Sequence, residues 1–499
     1  MKKQLLLYAI ALLVSGPGAT AAVEYEGYTN PAGDKFPIAV YDNVGIRASD
    51  GSQILSDAEQ KAYFDTIRLA GFNVELWGKE DIWRKGPINK WGSYLKSLGM
   101  NTIISTRGFT LTRSKIPYDA NTPDSILLQD NWDGLKTVIT NYRQDPNVWG
   151  YWVSDEPTVR SWTLPVYELN TDEGAVIPTF DMVNKYKGDK VAFANFVAKS
   201  NKAYIGHFAT DNPGNSYVEN FENYLDYMVD LFKLKFLTFD LYPVISNYPG
   251  HEPAWIIKSE YYNMMDLYGR YCRDRKIPIW LVMLSVEHSY DGPGEDKDWA
   301  YPEITEGLLR MQAMNGLAFG MKGLVYWEYG AKGEMSGNTL YKSALYDINK
   351  RQKTSAWDAA KSVNNEVAQY GKYLMDATYD RSCLVTNDTV HFYDGFDRTS
   401  ESFYDIRVTK HSGNTLLLSH LTADDSEYVA IVNQDHLKSQ KITLALNTKK
   451  NYYRVGIIYP AVPSPFDPYN TTNTDDNPMI RYESFVLEPG AMILFKRTI

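Results

Sequence analysis

Cysteine is nearly absent: Cys272 and Cys383 are the only two in 499 residues. The fold therefore cannot depend on a disulfide framework, and one bridge between these two is the most it could hold. No Cys/His spacing matches a zinc site and no other ligand set stands out, so neither a metal nor any other cofactor is expected. Apolar runs long enough for a membrane span of about 20 residues are missing, so no transmembrane segment is expected in the mature chain. A basic block is missing too. Asp and Glu (61) outnumber Lys and Arg (51), and a formal net charge of −10 argues against nucleic acid as a partner.

What is present begins with an address label. Lys2 and Lys3, the apolar run Leu5 to Val14 and the small residues Ala19-Thr20-Ala21 have the layout of a secretory signal peptide, so residues 1–21 are expected to be removed. No Cys follows the apolar run at the cleavage point, which argues against a lipid anchor. The mature protein is then expected to be secreted or periplasmic, in a Gram-negative bacterium. It is too long for one ordinary core, and a large domain with a smaller one is the natural division.

From Phe36 to Met375 short β-type runs alternate with segments of helical period, the pattern of βα units around a parallel sheet. Eight runs qualify: 36–44, 72–76, 101–105, 148–153, 203–208, 236–241, 279–284 and 323–328. Most are apolar throughout, as expected of strands covered on both faces, and eight of them predict a closed (β/α)8 barrel, a TIM barrel. Ser56-Asp57-Ala58-Glu59 reads as a capping box opening a helix that stops at Gly71. A later helix is expected over 303–314, with Pro302 in its first turn. The stretch 157–202 is long for a βα connection; its Trp162, Tyr167, Asp172 and Glu173 suit either the rim of a cleft or plain surface elaboration. After a closing helix, 354–374, short strands separated by polar turns predict a small all-β sandwich. The expected division is a barrel over 22–376 and a sandwich over 377–499.

Chemistry in such a barrel sits at the C-terminal ends of the strands. Four ends carry carboxylates: Ser154-Asp155-Glu156-Pro157 after the fourth run, Asp240-Leu241-Tyr242 after the sixth, Val286-Glu287-His288 after the seventh, and Trp327-Glu328-Tyr329 after the eighth. Glycoside hydrolysis needs one carboxylic acid to protonate the leaving oxygen and a second carboxylate to attack the anomeric carbon or activate water. The 38 Tyr and 12 Trp suit sugar rings, whose C–H faces stack on aromatics, although most of these side chains are expected simply to fill the core. Asp240 can contact substrate or orient Tyr242, which in turn can hydrogen-bond a nucleophile. Glu75, His207 and His288 are further strand-end groups able to bind sugar hydroxyls, each also readable as a satisfied structural residue.

The run Gly150-Tyr151-Trp152-Val153-Ser154-Asp155-Glu156-Pro157 resembles the strand-four signature of the retaining TIM-barrel β-glycosidase clan. The resemblance is to the secreted β-galactosidase-like and cellulase-like type common in gut Bacteroidetes. Trp327 is similar to that clan's substrate-platform tryptophan. Tyr428 to Asn433 and Leu487-Glu488-Pro489-Gly490 resemble its accessory sandwich. The resemblance implies Glu156 as general acid/base, Glu287 as nucleophile, and a poly- or oligosaccharide cut by double displacement. One position departs from the pattern: the clan places Asn before the acid/base, contacting the sugar 2-hydroxyl, and here that residue is Asp155. It can contact substrate differently, raise the pKa of Glu156, or pair with Arg107 inside the barrel. Glu328 divides between substrate binding and structure.

The main rival is a carbohydrate-binding protein that keeps the barrel but lacks a nucleophile, since function lives in the site and not in the fold. A surface protein assembled through the sandwich is a third reading.

Overall fold

The computed structural model describes residues 25–42, 55–77, 87–106, 129–157, 176–198, 205, 208, 214–245, 256–257, 260–290, 300–331, 335–336, 339–386, 402–403, 406–413, 415–458 and 480–499. The signal-peptide region and Arg107, Trp162, Tyr167, Asp172, Glu173 and His207 lie outside these residues.

Eight parallel strands close into a barrel: β1 (Ile38–Asp42), β2 (Val74–Trp77), β3 (Asn101–Ser105), β4 (Val148–Asp155), β5 (Val191–Val197), β6 (Leu237–Asp240), β7 (Ile279–Leu284) and β8 (Gly323–Trp327). β8 pairs back onto β1 through Ile38↔Leu324 to Val40↔Tyr326. Seven strands fall on the expected runs. The fifth does not: of 203–208 only Ile205 and Phe208 are described, and neither is in a strand. The strand is Val191-Ala-Phe-Ala-Asn-Phe-Val197, buried along its whole length. It starts from a turn at Gly188, whose φ of 62° suits a residue without Cβ.

The capping box is present. Ser56 Oγ accepts from the Glu59 N–H at 3.4 Å, and the Glu59 carboxylate accepts from the Ser56 N–H at 2.8 Å. The helix it opens, Asp57–Leu69, buries Tyr63, Phe64 and Ile67 against the barrel. The helix expected from 303 runs instead over Glu306–Ala318, because Thr305 caps it by accepting from the Leu308 N–H. Nearly every residue of this helix is buried, which by itself marks an element covered on all sides. One side faces the barrel; the other faces a sheet of the C-terminal region.

That region contains two antiparallel sheets. One is formed by Thr378–Thr386, Thr415–Ala423, Ser426–Asn433, Tyr453–Val455 and Met492–Thr498, the other by Ser402–Phe403, Ile406–His411, Gln440–Asn447 and Ile480–Leu487. The first sheet is buried on both faces. Leu417, Leu421, Ala430 and Val432 join the barrel core, while Leu416, Leu418, Val429 and Ile431 pack into the sandwich. This explains why Leu416-Leu417-Leu418 is a continuous apolar run rather than an alternation. Gly307 lets the two parts touch, since a Cβ there would meet the His436 carbonyl oxygen at 2.2 Å. The contact is locked by buried Arg310, which donates to Glu366 at 2.9 Å and to the Pro489 carbonyl at 3.0 Å. Cys272 and Cys383 are buried free thiols, so the possible bridge is not formed.

Inside the barrel Tyr28, Trp149, Phe236 and Trp280 plug the end where the strands begin, with the indoles of Trp149 and Trp280 stacked at 5.7 Å. Open space is therefore left at the C-terminal ends. Among the described residues no helix is long and apolar enough to cross a membrane.

Candidate active site

A cavity of about 260 Å³ opens at that end, several times the roughly 30 Å³ share of a water molecule and so of a size to hold a sugar ring. Its wall includes Tyr41, Trp152, Asp155, Glu156, Asn195, Asp240, Tyr242, Val282, His288, Tyr301, Trp327 and Tyr341.

Two consecutive residues of a strand normally point to opposite faces. Asp155 and Glu156 both line the cavity because the backbone breaks that rule twice. First, the register of β4 on β5 passes from Trp152↔Phe193 to Ser154↔Ala194, leaving Val153 as an extra residue. This bulge re-aims the strand beyond it and turns Asp155 inward opposite Asn195. Second, Glu156 has φ of 45°, in the left-handed region, while its N–H still donates to the Asn195 carbonyl at 2.8 Å. A left-handed residue with a Cβ costs about 1–2 kcal/mol, and such strain persists only where the surroundings impose it. Glu156→Gly is therefore expected to raise the stability of the chain by about 0.5–1 kcal/mol while removing a cavity carboxylate. Calorimetric melting checks this, and a lowered midpoint would refute the strain.

Asn195 ties the carboxylates together. Its side-chain amide donates to Asp155 at 3.0 Å and to Asp240 at 2.9 Å, and its oxygen accepts from Thr238 at 2.8 Å. Asn195→Leu leaves two neighbouring carboxylates without this shared donor. Activity is expected to fall about 10–100-fold, the cost typical of removing a group that orients a site residue. Steady-state kinetics on the folded variant test it, and an unchanged kcat would remove Asn195 from the machinery.

Aromatic rings form the rest of the wall. Tyr41 lies 4.2 Å from Trp327 and meets the edge of Trp152 at 5.1 Å. Opposite them Tyr242 meets Tyr301 edge-on at 5.2 Å, and His288 sits between Tyr301 at 4.5 Å and Tyr341 at 5.4 Å. Burial, followed by the charges of Asp240, Tyr301, Glu156 and Asp155, pushes the Tyr242 hydroxyl well above its ordinary pKa. It stays a hydrogen-bond donor at any working pH. Tyr341 is pushed up to about 12 by burial, Glu328 and Asp155. The Tyr224 hydroxyl donates to the Pro157 carbonyl and so holds the residue after Glu156. His288 Nδ1 is 3.0 Å from the Val286 carbonyl, which can only accept, so the ring proton sits on Nδ1.

The structure brings together Asp155, Glu156, Asp240, Tyr242, Trp327 and His288, and separates three others from them. Glu287 does not line the cavity. It opens a rim strand, Glu287–Tyr290, paired with Thr339–Ser343; the alternation of that strand sends His288 inward and leaves Glu287 bonded to Lys342 at 3.2 Å. β7 ends at Leu284, and the side chain it gives to the cavity is Val282. Glu75 is completely buried and lies off the cavity: Val74 and Leu76 of β2 face the barrel interior, so Glu75 faces outward, where its charge acts on Tyr63. Glu328 is buried beside the wall, its charge reaching Tyr341 without lining the cavity. Asn195, Tyr301, Tyr341 and Glu260 escape the sequence reading. A lone Asn near the C-terminal end of an apolar β run is a usable signal for the first. Tyr301 and Tyr341 come from short rim strands with no such mark.

In sequence the chain matches no family model and no curated protein. The fold is shared more widely. The β-galactosidase of Bacillus circulans sp. alkalophilus superposes with a TM-score of 0.51 at 8% identity, over 95% of this chain and 100% of that one. Xylanase 10B of Thermotoga maritima gives 0.41 at 14% identity, over 67% of this chain and 95% of its own. The family 1 β-glucosidase of Thermotoga maritima gives 0.39 at 12%, over 66% and 98%. At 8% identity the likeness to the β-galactosidase shows the fold alone, and the chemistry has to be argued from the cavity.

Proposed function

We propose that the protein hydrolyses β-glycosidic bonds in a poly- or oligosaccharide, with Glu156 as the proton donor to the leaving oxygen. The observation that carries this is the pair Asp155-Glu156, turned into one aromatic-lined cavity by a bulge and a left-handed residue. Strained backbone clusters at functional sites, so a left-handed residue beside a carboxylate pair supports a site for acid–base work. Trp327, Tyr41 and Trp152 offer ring faces to a pyranose, while Tyr242, Asp240 and His288 offer polar atoms to its hydroxyls. The fold shared with a β-galactosidase is consistent with this chemistry. Export by the N-terminal leader, and the division into a catalytic barrel over 22–376 and an accessory sandwich over 377–499, belong to the same proposal.

The resemblance assigns the nucleophile to Glu287, whereas its side chain bonds Lys342 at 3.2 Å and does not line the cavity, which speaks against that role. Glu287→Gln is therefore expected to keep kcat/KM within about twofold of wild type, as for a surface ion pair. Val282 of β7 and His288 of the rim strand, in place of a carboxylate, favour one competing account, a protein that binds sugar without cleaving it. A panel of aryl β-glycosides and β-linked polysaccharides decides, with product anomers followed by NMR. Turnover retained in Glu287→Gln supports the present assignment; turnover abolished in it restores Glu287 as nucleophile; binding without turnover by wild type supports the rival.

A further inference from the structure

Resting on the reading of Glu156 as the acid, we propose that Tyr224 is its positioning residue. The Tyr224 hydroxyl on the Pro157 carbonyl and the Asn195 carbonyl on the Glu156 N–H form a clamp around the left-handed backbone that carries the acid into the cavity.

The backbone at 156 does not hold itself. A residue that follows Asp155 in an extended strand points to the opposite face, and a residue before proline is driven toward extended backbone. Glu156 precedes Pro157, yet its φ is 45° and it lines the same cavity as Asp155. Local preference therefore pulls the carboxyl away from the cavity, and the restraint has to come from outside the turn.

Two groups supply it, one on each side of the residue. On the N-terminal side the Glu156 N–H donates to the Asn195 carbonyl at 2.8 Å. On the C-terminal side the Pro157 carbonyl accepts from the Tyr224 hydroxyl. Asn195 belongs to β5, and the Tyr224 ring meets the edge of Phe196, the next residue of that strand, at 6.2 Å. Both jaws of the clamp are thus set by one buried strand. The cost of a left-handed backbone at a residue with a Cβ is of the same order as one buried hydrogen bond, so losing either bond is enough to release the turn.

Tyr224 is built to keep its bond. It is 3% exposed and sits among Phe196, Phe208 and Phe221. Its helix, Tyr217–Phe232, starts at a capping box in which Ser216 Oγ accepts from the Glu219 N–H at 3.3 Å. A proline carbonyl can only accept, and burial followed by the charge of Glu156 keeps the hydroxyl protonated, so the bond runs in one direction. Tyr224 does not line the cavity. It acts on the acid through the backbone and leaves the sugar to the wall residues.

The test uses the full chain. Tyr224→Phe keeps the ring and removes only the hydroxyl. On a β-linked oligosaccharide its kcat should fall about 10–100-fold, as when a group that orients a site residue is lost. KM should stay within about twofold of wild type, because the wall is untouched. On an aryl β-glycoside with an acidic phenol, which departs without a proton, kcat should also stay within about twofold. Tyr224→4-aminophenylalanine returns a donor to the same ring position and should recover most of the loss. A ring that merely fills space would give neither the contrast between substrates nor the rescue.

An unchanged kcat on the oligosaccharide, or an equal loss on both substrates, overturns the proposal and leaves Glu156 as the acid. Should Tyr224→Phe not fold, the 4-aminophenylalanine variant carries the test: its weaker donor should cost more on the oligosaccharide than on the aryl glycoside, and an equal loss on both overturns the clamp. If wild type turns over no substrate, the hydrolase reading fails, and crystal structures of wild type and Tyr224→Phe decide the clamp by themselves. A Glu156 φ that turns negative in the variant upholds it, and a φ still near 45° overturns it.

Discussion

Glu156→Gln should lower kcat about 10²–10⁴-fold on a β-linked oligosaccharide, whose leaving alcohol needs a proton. The same substitution should cost far less on an aryl glycoside with an acidic phenol, which departs unaided. Gln keeps the shape of Glu and can occupy the left-handed backbone at 156 at similar cost, with the N–H still donating to Asn195, so folding should be preserved. The contrast between the two substrates is what separates an acid from a residue that only binds. A loss equal on both would make Glu156 a binding group, and rate measurements across a series of leaving groups distinguish the two.

Arg310→Ala should destabilise the chain by about 3–5 kcal/mol, because it leaves Glu366 buried without its cation. Both side chains are about nine-tenths buried, and the guanidinium also joins Glu306 on its own helix and the Pro489 carbonyl of the C-terminal region. Three elements therefore depend on one group: Glu306–Ala318, Ser355–Leu374 and the turn at Pro489. Replacing both partners by apolar residues, Arg310→Met with Glu366→Leu, should recover most of the loss, since no buried charge is then left alone. Urea unfolding of the two variants checks the difference. A loss under about 1 kcal/mol in the single variant, the size of an exposed ion pair, would mean that water reaches Glu366 and that barrel and sheets dock more loosely than described.

The barrel was legible in the sequence because each of its buried strands is a short apolar run between turn signals, and seven of the eight runs stand out by that alone. β5 is the exception. It carries Asn195, the residue that joins Asp155 and Asp240, near the place where its C-terminal end meets the site. The carboxylate pair of the cavity wall was legible for a different reason: Asp155-Glu156-Pro157 stands at the end of a largely apolar strand run. The position of Glu287 off the cavity wall has a physical cause. Past Leu284 the chain leaves the barrel and enters an antiparallel rim ladder with Thr339–Ser343, and a shift of one residue exchanges the faces of Glu287 and His288. Pairing with a strand some fifty positions away decides which of them sees the cavity, and no local pattern around 287 contains that information. Of the two readings open for Glu75 its outward, buried position favours the structural one, and alternation within β2 is set by what its neighbours bury.

Whether this cavity both holds a β-glycoside and cleaves it through Glu156 is tested most directly in one experiment. A β-linked oligosaccharide is mixed with wild type and with Glu156→Gln, and heat of binding and product are followed in the same samples. The prediction is equal affinity in both proteins with product formed by wild type alone. Product formed by Glu156→Gln at the wild-type rate, or binding by wild type with no product, would contradict it.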